Sequence, residues 1–255
     1  DGEIVGEMGI ESHYNNVLKG QDGETEYQRD AYGYQMGEAY TKDPVSGSDI
    51  YLTLDSQIQL ILEDAVHNLE ENNEFAWFTF TVMNAKTGAI VGSASSPNFN
   101  PNTLEGLTNY VNPLVGYTYE PGSTMKIFSW LAAMENNMYN GEEEFMSGTI
   151  NVAGATIKDF NNSGWGKITY DRGFAYSSNV GATNLALRLG SAKLKDFYES
   201  LGFGSKTGIE LPGEEKGIIR LTYESELATA SYGQGITTTP IQKAYYVNKV
   251  LKPHI

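Results

Sequence analysis

From Asp55 onward, apolar residues recur at helical spacing. Ile58, Ile61, Leu62, Ala65, Val66 and Leu69 fall on one face of a helix that Asp55 caps. Leu52 and Leu54, just before it, predict a short strand. The period then changes. In FAWFTFTVMNAKTGAIVGSASS, two β-rich runs flank Asn84-Ala85-Lys86-Thr87-Gly88, which predicts an antiparallel hairpin. SPNFNPNTLEGLTNY, with its prolines and asparagines, reads as loop. After Gly122 the residues Ile127, Phe128, Trp130, Leu131 and Met134 make a helix that is apolar on most sides, and so predict a central, buried one. Helical spacing returns over 169–176, 180–189, 191–201, 223–230 and 239–248. Residues 1–48 differ: they are polar, acidic and glycine-rich, with turns at Gly20-Gln21-Asp22-Gly23 and Tyr32-Gly33-Tyr34. They hold too few apolar residues for a core of their own and read as an arm or the tail of a preceding domain, ending near Pro44-Val45-Ser46-Gly47.

A hairpin followed by many helices predicts an α+β fold, a sheet packed by helices. A two-stranded hairpin is marginal on its own, so further strands are expected beyond residue 255. Composition supports a folded, soluble chain: 40% of the 255 residues are hydrophobic and 19% charged. The net charge of −15 speaks against nucleic acid as a partner, which would require a basic stripe. With no cysteine, disulfides, thiolate metal sites and cysteine nucleophiles are excluded. No apolar run reaches the roughly 18 residues of a membrane span, and no signal peptide is visible. The abrupt start at Asp1-Gly2-Glu3 suits a fragment whose anchor lies elsewhere.

Candidate chemistry centres on YEPGSTMKIFSW, residues 119–130. A serine hydroxyl is a weak nucleophile until a base takes its proton. The three histidines, His13, His67 and His254, lie in no motif, so neither a Ser-His-Asp triad nor a histidine metal site is expected. A desolvated lysine can serve instead. Ser123 and Lys126, at i and i+3, meet if a helix begins at or just before Ser123. The helix N-terminus would favour developing negative charge there. Taken alone, S-x-x-K is more often an N-cap followed by a chance lysine. A second signal, Ser177-Ser178-Asn179, enters another helix and offers a hydroxyl that can relay a proton and a carboxamide that can hold a substrate amide. By itself it too reads as a cap.

Together these elements resemble a penicillin-binding protein, a superfamily marked by S-x-x-K, an S-x-N element and K-T-G. MNAKTGAIVGSASSPNFNPN, GFGSKTGIELPGE and ASYGQGITTTPIQKAYYVN are similar to the transpeptidase domain of its monofunctional, class B members, and GEMGIESHYNNVLKGQDG to the end of their pedestal domain. The resemblance covers nearly the whole chain. It implies the α+β transpeptidase fold, an antiparallel sheet between helical layers, over 49–255, preceded over 1–48 by a remnant of the N-terminal pedestal. It implies a serine D,D-transpeptidase that cross-links peptidoglycan stem peptides derived from lipid II, outside the cytoplasmic membrane and held there by an N-terminal anchor. Ser123 would attack the D-Ala-D-Ala carbonyl, Lys126 would be the base, Ser177 the proton relay, and Asn179 would orient substrate. β-Lactam antibiotics would acylate Ser123. No cofactor or metal is implied; a glycosyltransferase and divisome or elongasome proteins are the expected partners. S-T-M-K and the acidity lean towards a Gram-positive source.

The chain also departs from the family pattern. Lys86-Thr87-Gly88 precedes the serine and reads as a hairpin turn; Lys206-Thr207-Gly208 follows Asn179 too soon and falls where the family has a loop. Neither is the third motif, which is expected on a strand beyond these residues, with one oxyanion N–H. YVNKVLKPHI is short of a turn relative to the family, as if residues were absent, and a molecule ending at Ile255 is expected to have little or no catalysis. Secondary candidates are Gln234, beside the cleft or in a helix-ending turn, and Phe160 and Trp165, walling the cleft or packing locally. The acidic runs Glu142-Glu143-Glu144 and Glu214-Glu215 read as solvated surface. A serine β-lactamase or β-lactam sensor shares the serine and lysine, but the long stretch before Ser123 speaks against it. The non-enzymatic alternative is an inactive scaffold of the wall-synthesis machinery.

Overall fold

The computed structural model describes residues 5–251, so His254 lies outside the described residues. The chain forms two compact units, one of residues up to Leu54 together with Glu210–Gly213, the other of Asp55–Ile209 with the residues from Glu214 on.

The first unit holds two helical turns, α1 (Gly9–His13) and α2 (Asn15–Leu18), and an antiparallel hairpin of β1 (Glu24–Arg29) and β2 (Gln35–Lys42). Asp30 Oδ1 accepts the Tyr32 and Tyr34 amides and so closes the hairpin turn. The hairpin is regular structure that the polar composition of residues 1–48 hid. Its strands are exposed apart from Ala39, so no apolar alternation marks them. The strand expected at Leu52 and Leu54 is not formed; both side chains are exposed.

The second unit opens with α3 (Ser56–Asn72), capped by Asp55, whose carboxylate accepts the Gln57 and Ile58 amides. Of its apolar face, Ile58, Leu62, Ala65, Val66 and Leu69 turn inward, but Ile61 is 66% exposed, so the buried stripe is narrower than the spacing suggests. β3 (Phe78–Met83) and β4 (Ile90–Ser96) form the expected hairpin, with Thr81 opposite Ser93. Asn84 closes it by accepting the Lys86 and Thr87 amides. α3 lies against β4 at Gly92, where a Cβ would come within 2.9 Å of Ile58 and Leu62. α9 (Pro240–Leu251) packs against β3, and Asn248 Nδ2 donates to Ala85 O at 2.5 Å.

Between these lie α4 (Pro113–Gly116), a 3-10 turn (Gly122–Met125) leading directly into α5 (Lys126–Glu135), α6 (Tyr170–Ala175), α7 (Asn179–Leu201) and α8 (Glu224–Ala230). The two helices expected at 180–189 and 191–201 are one element bent at Gly190, whose φ of 77° interrupts the helical backbone. α5 and α7 pack together at the centre: Phe128, Trp130, Ala132 and Ala133 meet Val180, Ala182, Leu185 and Ala186, all almost fully buried. α5 is less enclosed than its composition implies, because Ile127 and Met134 are exposed.

Four short strands were not legible: β5 (Glu144–Met146) pairs with β8 (Lys167–Thr169), and β6 (Thr149–Val152) with β7 (Ala155–Lys158). Each has only three or four residues, too few to show a period. The β6–β7 turn is Ala153-Gly154, both at positive φ, where asparagine-glycine would have been the recognisable pair.

Glu214 corrects the reading of its run as solvated surface. It is 6% exposed, and its carboxylate accepts the Thr207 amide at 2.5 Å, the Thr207 hydroxyl at 2.6 Å and the Gly208 amide at 3.1 Å. It thereby holds the Lys206-Thr207-Gly208 loop. Glu214→Ala strands three donors and is expected to lower stability by about 3 kcal/mol, read by thermal or denaturant unfolding. Glu143, by contrast, is half open to solvent and pairs bidentately with Arg188.

Candidate active site

Pro121 and Gly122 turn the chain into α5, and Ser123 lies inside the 3-10 turn that follows rather than at its cap; its hydroxyl meets Lys126 Nζ. Ser123 is exposed, whereas Lys126, one turn on, is 3% exposed. A solvent-reachable hydroxyl thus stands over a desolvated amine. Lys126 Nζ lies 3.1 Å from Ser123 Oγ, 2.9 Å from Ser177 Oγ and 2.5 Å from Ser177 O. Ser177 O can only accept, so it fixes one N–H of the amine. A neutral Lys126 then has its second N–H and its lone pair for the two hydroxyls. Burial pulls the Lys126 pKa down to about 8, against the opposing pull of the Asp159 carboxylate.

Ser177 reaches this position through a left-handed backbone, φ 55°, which disfavours a serine by about 1 kcal/mol or more. That conformation lays both its carbonyl and its hydroxyl on Lys126. Ser178 Oγ caps α7 by accepting the Gly181 amide and donates to Asp159. Asn179 Nδ2 donates to Lys158 O at 2.8 Å, which ties the carboxamide to β7; among the described residues its Oδ1 accepts no hydrogen bond, leaving it open to an amide N–H.

The turn after α8 backs the serine. Gly122 N donates to Gly233 O at 3.0 Å, Gly235 N to Glu120 Oε1 at 2.8 Å, and Tyr119 bridges to Thr238. Gln234 sits on this turn with an exposed side chain. Phe160 is 70% exposed on the loop after β7; its ring meets Trp165 edge-on at 5.6 Å, and Trp165 lies 5.0 Å from Tyr176, the residue before Ser177. These aromatics therefore form one run beside the Ser-Ser-Asn turn.

Sequence reading passed over three residues that shape the site. Asp159 is an acid in a polar loop, Gly233 one glycine among 28, and Lys243 a lysine within a helix; none carries a local mark of its role. Lys243 Nζ donates to Thr124 O at 2.9 Å and lies 4.2 Å from the Phe128 ring centre, and burial pulls its pKa down to about 7. A cavity of about 450 Å³ beside β3 and α9 is lined by Thr79, Thr81, Met83, Lys243 and Val247, but not by either serine motif. No helix among the described residues is long and apolar enough to cross a membrane.

Residues 78–255 match the penicillin binding protein transpeptidase domain, and residues 1–52 the penicillin-binding protein dimerisation domain. The chain is 36% identical over 254 residues to stage V sporulation protein D of Bacillus subtilis (strain 168), covering 95% of this chain and 39% of that protein. It is 32% identical over 248 residues to penicillin-binding protein PbpB of Mycolicibacterium smegmatis, covering 94% and 38%. With peptidoglycan D,D-transpeptidase FtsI of Escherichia coli (strain K12) it shares 28% over 241 residues, 92% of this chain and 41% of that one. The structure of penicillin binding protein 2X from Streptococcus thermophilus superposes with a TM-score of 0.83 at 34% identity, covering 96% of this chain and 37% of that chain. The chain thus spans about two fifths of the length of these relatives. They range from Bacillus to Escherichia, and the Gram-positive source stays an expectation. With its α+β transpeptidase fold, the chain belongs to the penicillin-binding protein family as a class B member.

Proposed function

We propose that this chain carries the serine of a peptidoglycan D,D-transpeptidase, within a protein anchored to the bacterial cytoplasmic membrane and facing outward. The observation that carries the reading is the contact of one desolvated amine, Lys126 Nζ, with the hydroxyls of both Ser123 and Ser177. Neutral Lys126 takes the Ser123 proton as Oγ attacks the carbonyl of a terminal D-Ala-D-Ala bond. The C–N bond breaks, the acyl group stays on Ser123, and the departing amine of D-alanine receives its proton through Ser177 Oγ. The amine of a second stem peptide then attacks the ester, and Ser123 is released. Asn179 Oδ1 holds the donor's amide, and a β-lactam enters by the same attack and stays bound. The K-[ST]-G strand expected to supply an oxyanion N–H is not among these residues. Within this reading, residues 1–48 end a pedestal and 49–255 form the transpeptidase domain. Phe160, Trp165 and Gln234 border the substrate cleft, and a glycosyltransferase and divisome or elongasome proteins are the partners.

Incubating the full-length protein with a fluorescent penicillin tests this. We expect a denaturation-stable adduct that maps to Ser123, persists for hours and is lost in Ser123→Ala. Rapid release of hydrolysed drug would favour a β-lactamase. No label on the folded protein would favour an inactive scaffold.

A further inference from the structure

We propose that Asp159 is a positioning residue for the Ser123–Lys126 pair. Its buried carboxylate holds the Ser177-Ser178-Asn179 turn against the lysine and supplies the negative charge that favours the ammonium formed when Lys126 takes the Ser123 proton. This inference rests on the acylation reading above.

Asp159 is 1% exposed. Among the described residues every hydrogen bond to its carboxylate comes from a neutral donor. Oδ1 accepts Ser178 Oγ at 2.8 Å and the Val180 amide at 3.1 Å, and Oδ2 accepts the Gly148 amide at 2.8 Å. Among the described residues no lysine, arginine or histidine forms an ion pair with it. Three donors satisfy the carboxylate locally, and its charge also acts on the groups around it. Two groups are placed to be balanced. One is the N-terminus of α7, whose Val180 amide it accepts. The other is Lys126, whose Nζ sits on Ser177, the residue before the serine that Asp159 grips. The Asp159 carboxylate raises the proton affinity of Lys126, against the lowering by burial.

The other ionisable groups against this helix look elsewhere. Lys243 of α9 is on Thr124 O, Tyr198 of α7 is on Ser129 Oγ, and Glu120 is on the Gly235 amide. During acylation the O–H bond of Ser123 breaks and an N–H bond forms on Lys126, so positive charge appears at Nζ without leaving the site. A fixed negative charge behind the Ser177 turn stabilises that charge at the moment it forms. It also holds the resting amine less acidic than burial alone would make it.

The two roles separate in a pH profile. Acylation of the full-length protein by a fluorescent penicillin is followed from pH 5 to 10. In Asp159→Asn the charge is gone, the ammonium is less favoured, and the midpoint of the acid limb is expected to move about half a pH unit or more towards acid. The plateau rate falls about tenfold because a weaker base and an unbalanced ammonium remain. A purely structural Asp159 would lower the melting temperature and the rate but leave the midpoint in place, and that result overturns the proposal. Should the asparagine variant fail to fold, Asp159→Ser removes the charge and leaves a smaller polar side chain, and carries the same expectation. Ser178→Ala keeps the charge and cuts the hydrogen bond. Its midpoint is expected to stay, and an acid shift equal to that of the asparagine variant would overturn the role of charge. If the unaltered protein takes no label at Ser123, the transpeptidase reading falls and this inference with it. Label without a moved midpoint sinks only the inference.

Discussion

Lys126→Met is expected to slow acylation of Ser123 by a penicillin about a thousandfold while leaving the protein folded. The methionine keeps the apolar stem's packing but removes the nitrogen that sits 3.1 Å from Ser123 Oγ. Among the described residues no other base hydrogen-bonds that hydroxyl, and His67 is exposed on α3 beside Glu71. The unaltered protein and the variant should also differ in shape of response. With its pKa near 8, Lys126 is neutral in only about a tenth of molecules at pH 7, so acylation should climb about tenfold towards pH 9 and then level. The methionine variant should show no such limb. Stopped-flow acylation across pH measures both, and a variant with unchanged rate would remove Lys126 from the chemistry.

The same lysine leaves a mark on stability. Its folded pKa is lowered from an ordinary 10.5 to about 8, so the folded state disfavours its charge. Below about 8 both states carry the proton and the penalty is full. Between about 8 and 10.5 the unfolded chain holds a proton that the folded chain has lost, so the Lys126 contribution makes stability rise with pH; above that range the penalty is gone. Proton uptake on unfolding at pH 9, compared between the two proteins, isolates this contribution.

Gly233→Ala should be severely damaging for a change of a single methyl group. A Cβ there would come within 2.1 Å of Gly122 O and 2.5 Å of Gly122 N, both backbone atoms with nowhere to turn. Gly233 also has φ 82°, a conformation L side chains resist. Together the overlap and the backbone strain should lower stability by about 3 kcal/mol or more. The displaced atoms belong to the turn that presents Ser123, and a misplacement of about 1 Å at a reacting group can lose on the order of a hundredfold in rate. Gly122→Ala makes the contrast: its φ is 56° but open space lies where the methyl would go, so only the strain of about 1–2 kcal/mol applies. Unfolding midpoints and acylation rates of the two variants decide the matter; equal losses would mean that the Gly122–Gly233 contact does not shape the site.

The parts of this molecule that could be read without coordinates are those whose causes are local. A serine and a lysine three residues apart meet on the first turns of a helix whatever surrounds it, and Asp55, Asn84 and Ser178 announce a helix, a hairpin turn and a second helix through their own side chains. The long periodic runs gave α3, α7, α8 and α9 for the same reason. Strands of three or four residues over 144–169 have no period to display, and Leu52 and Leu54 look like a strand but do not form one. Burial was beyond reach as well. Glu214 reads as a surface acid until the 207–208 amides close around it, and Ile61 reads as core although α3 turns it to solvent. The site itself divides along this line. Residue types and short spacing named Ser123, Lys126, Ser177 and Asn179. Packing of α7 and the β7 loop against α5 brought Ser177 onto Lys126 across 51 positions and set Asp159 behind it, and the 232–235 turn set Gly233 against Gly122. Proton affinity at Lys126 depends on water excluded and charge retained, and both are properties of what the folded chain places around the amine, not of the letters beside it.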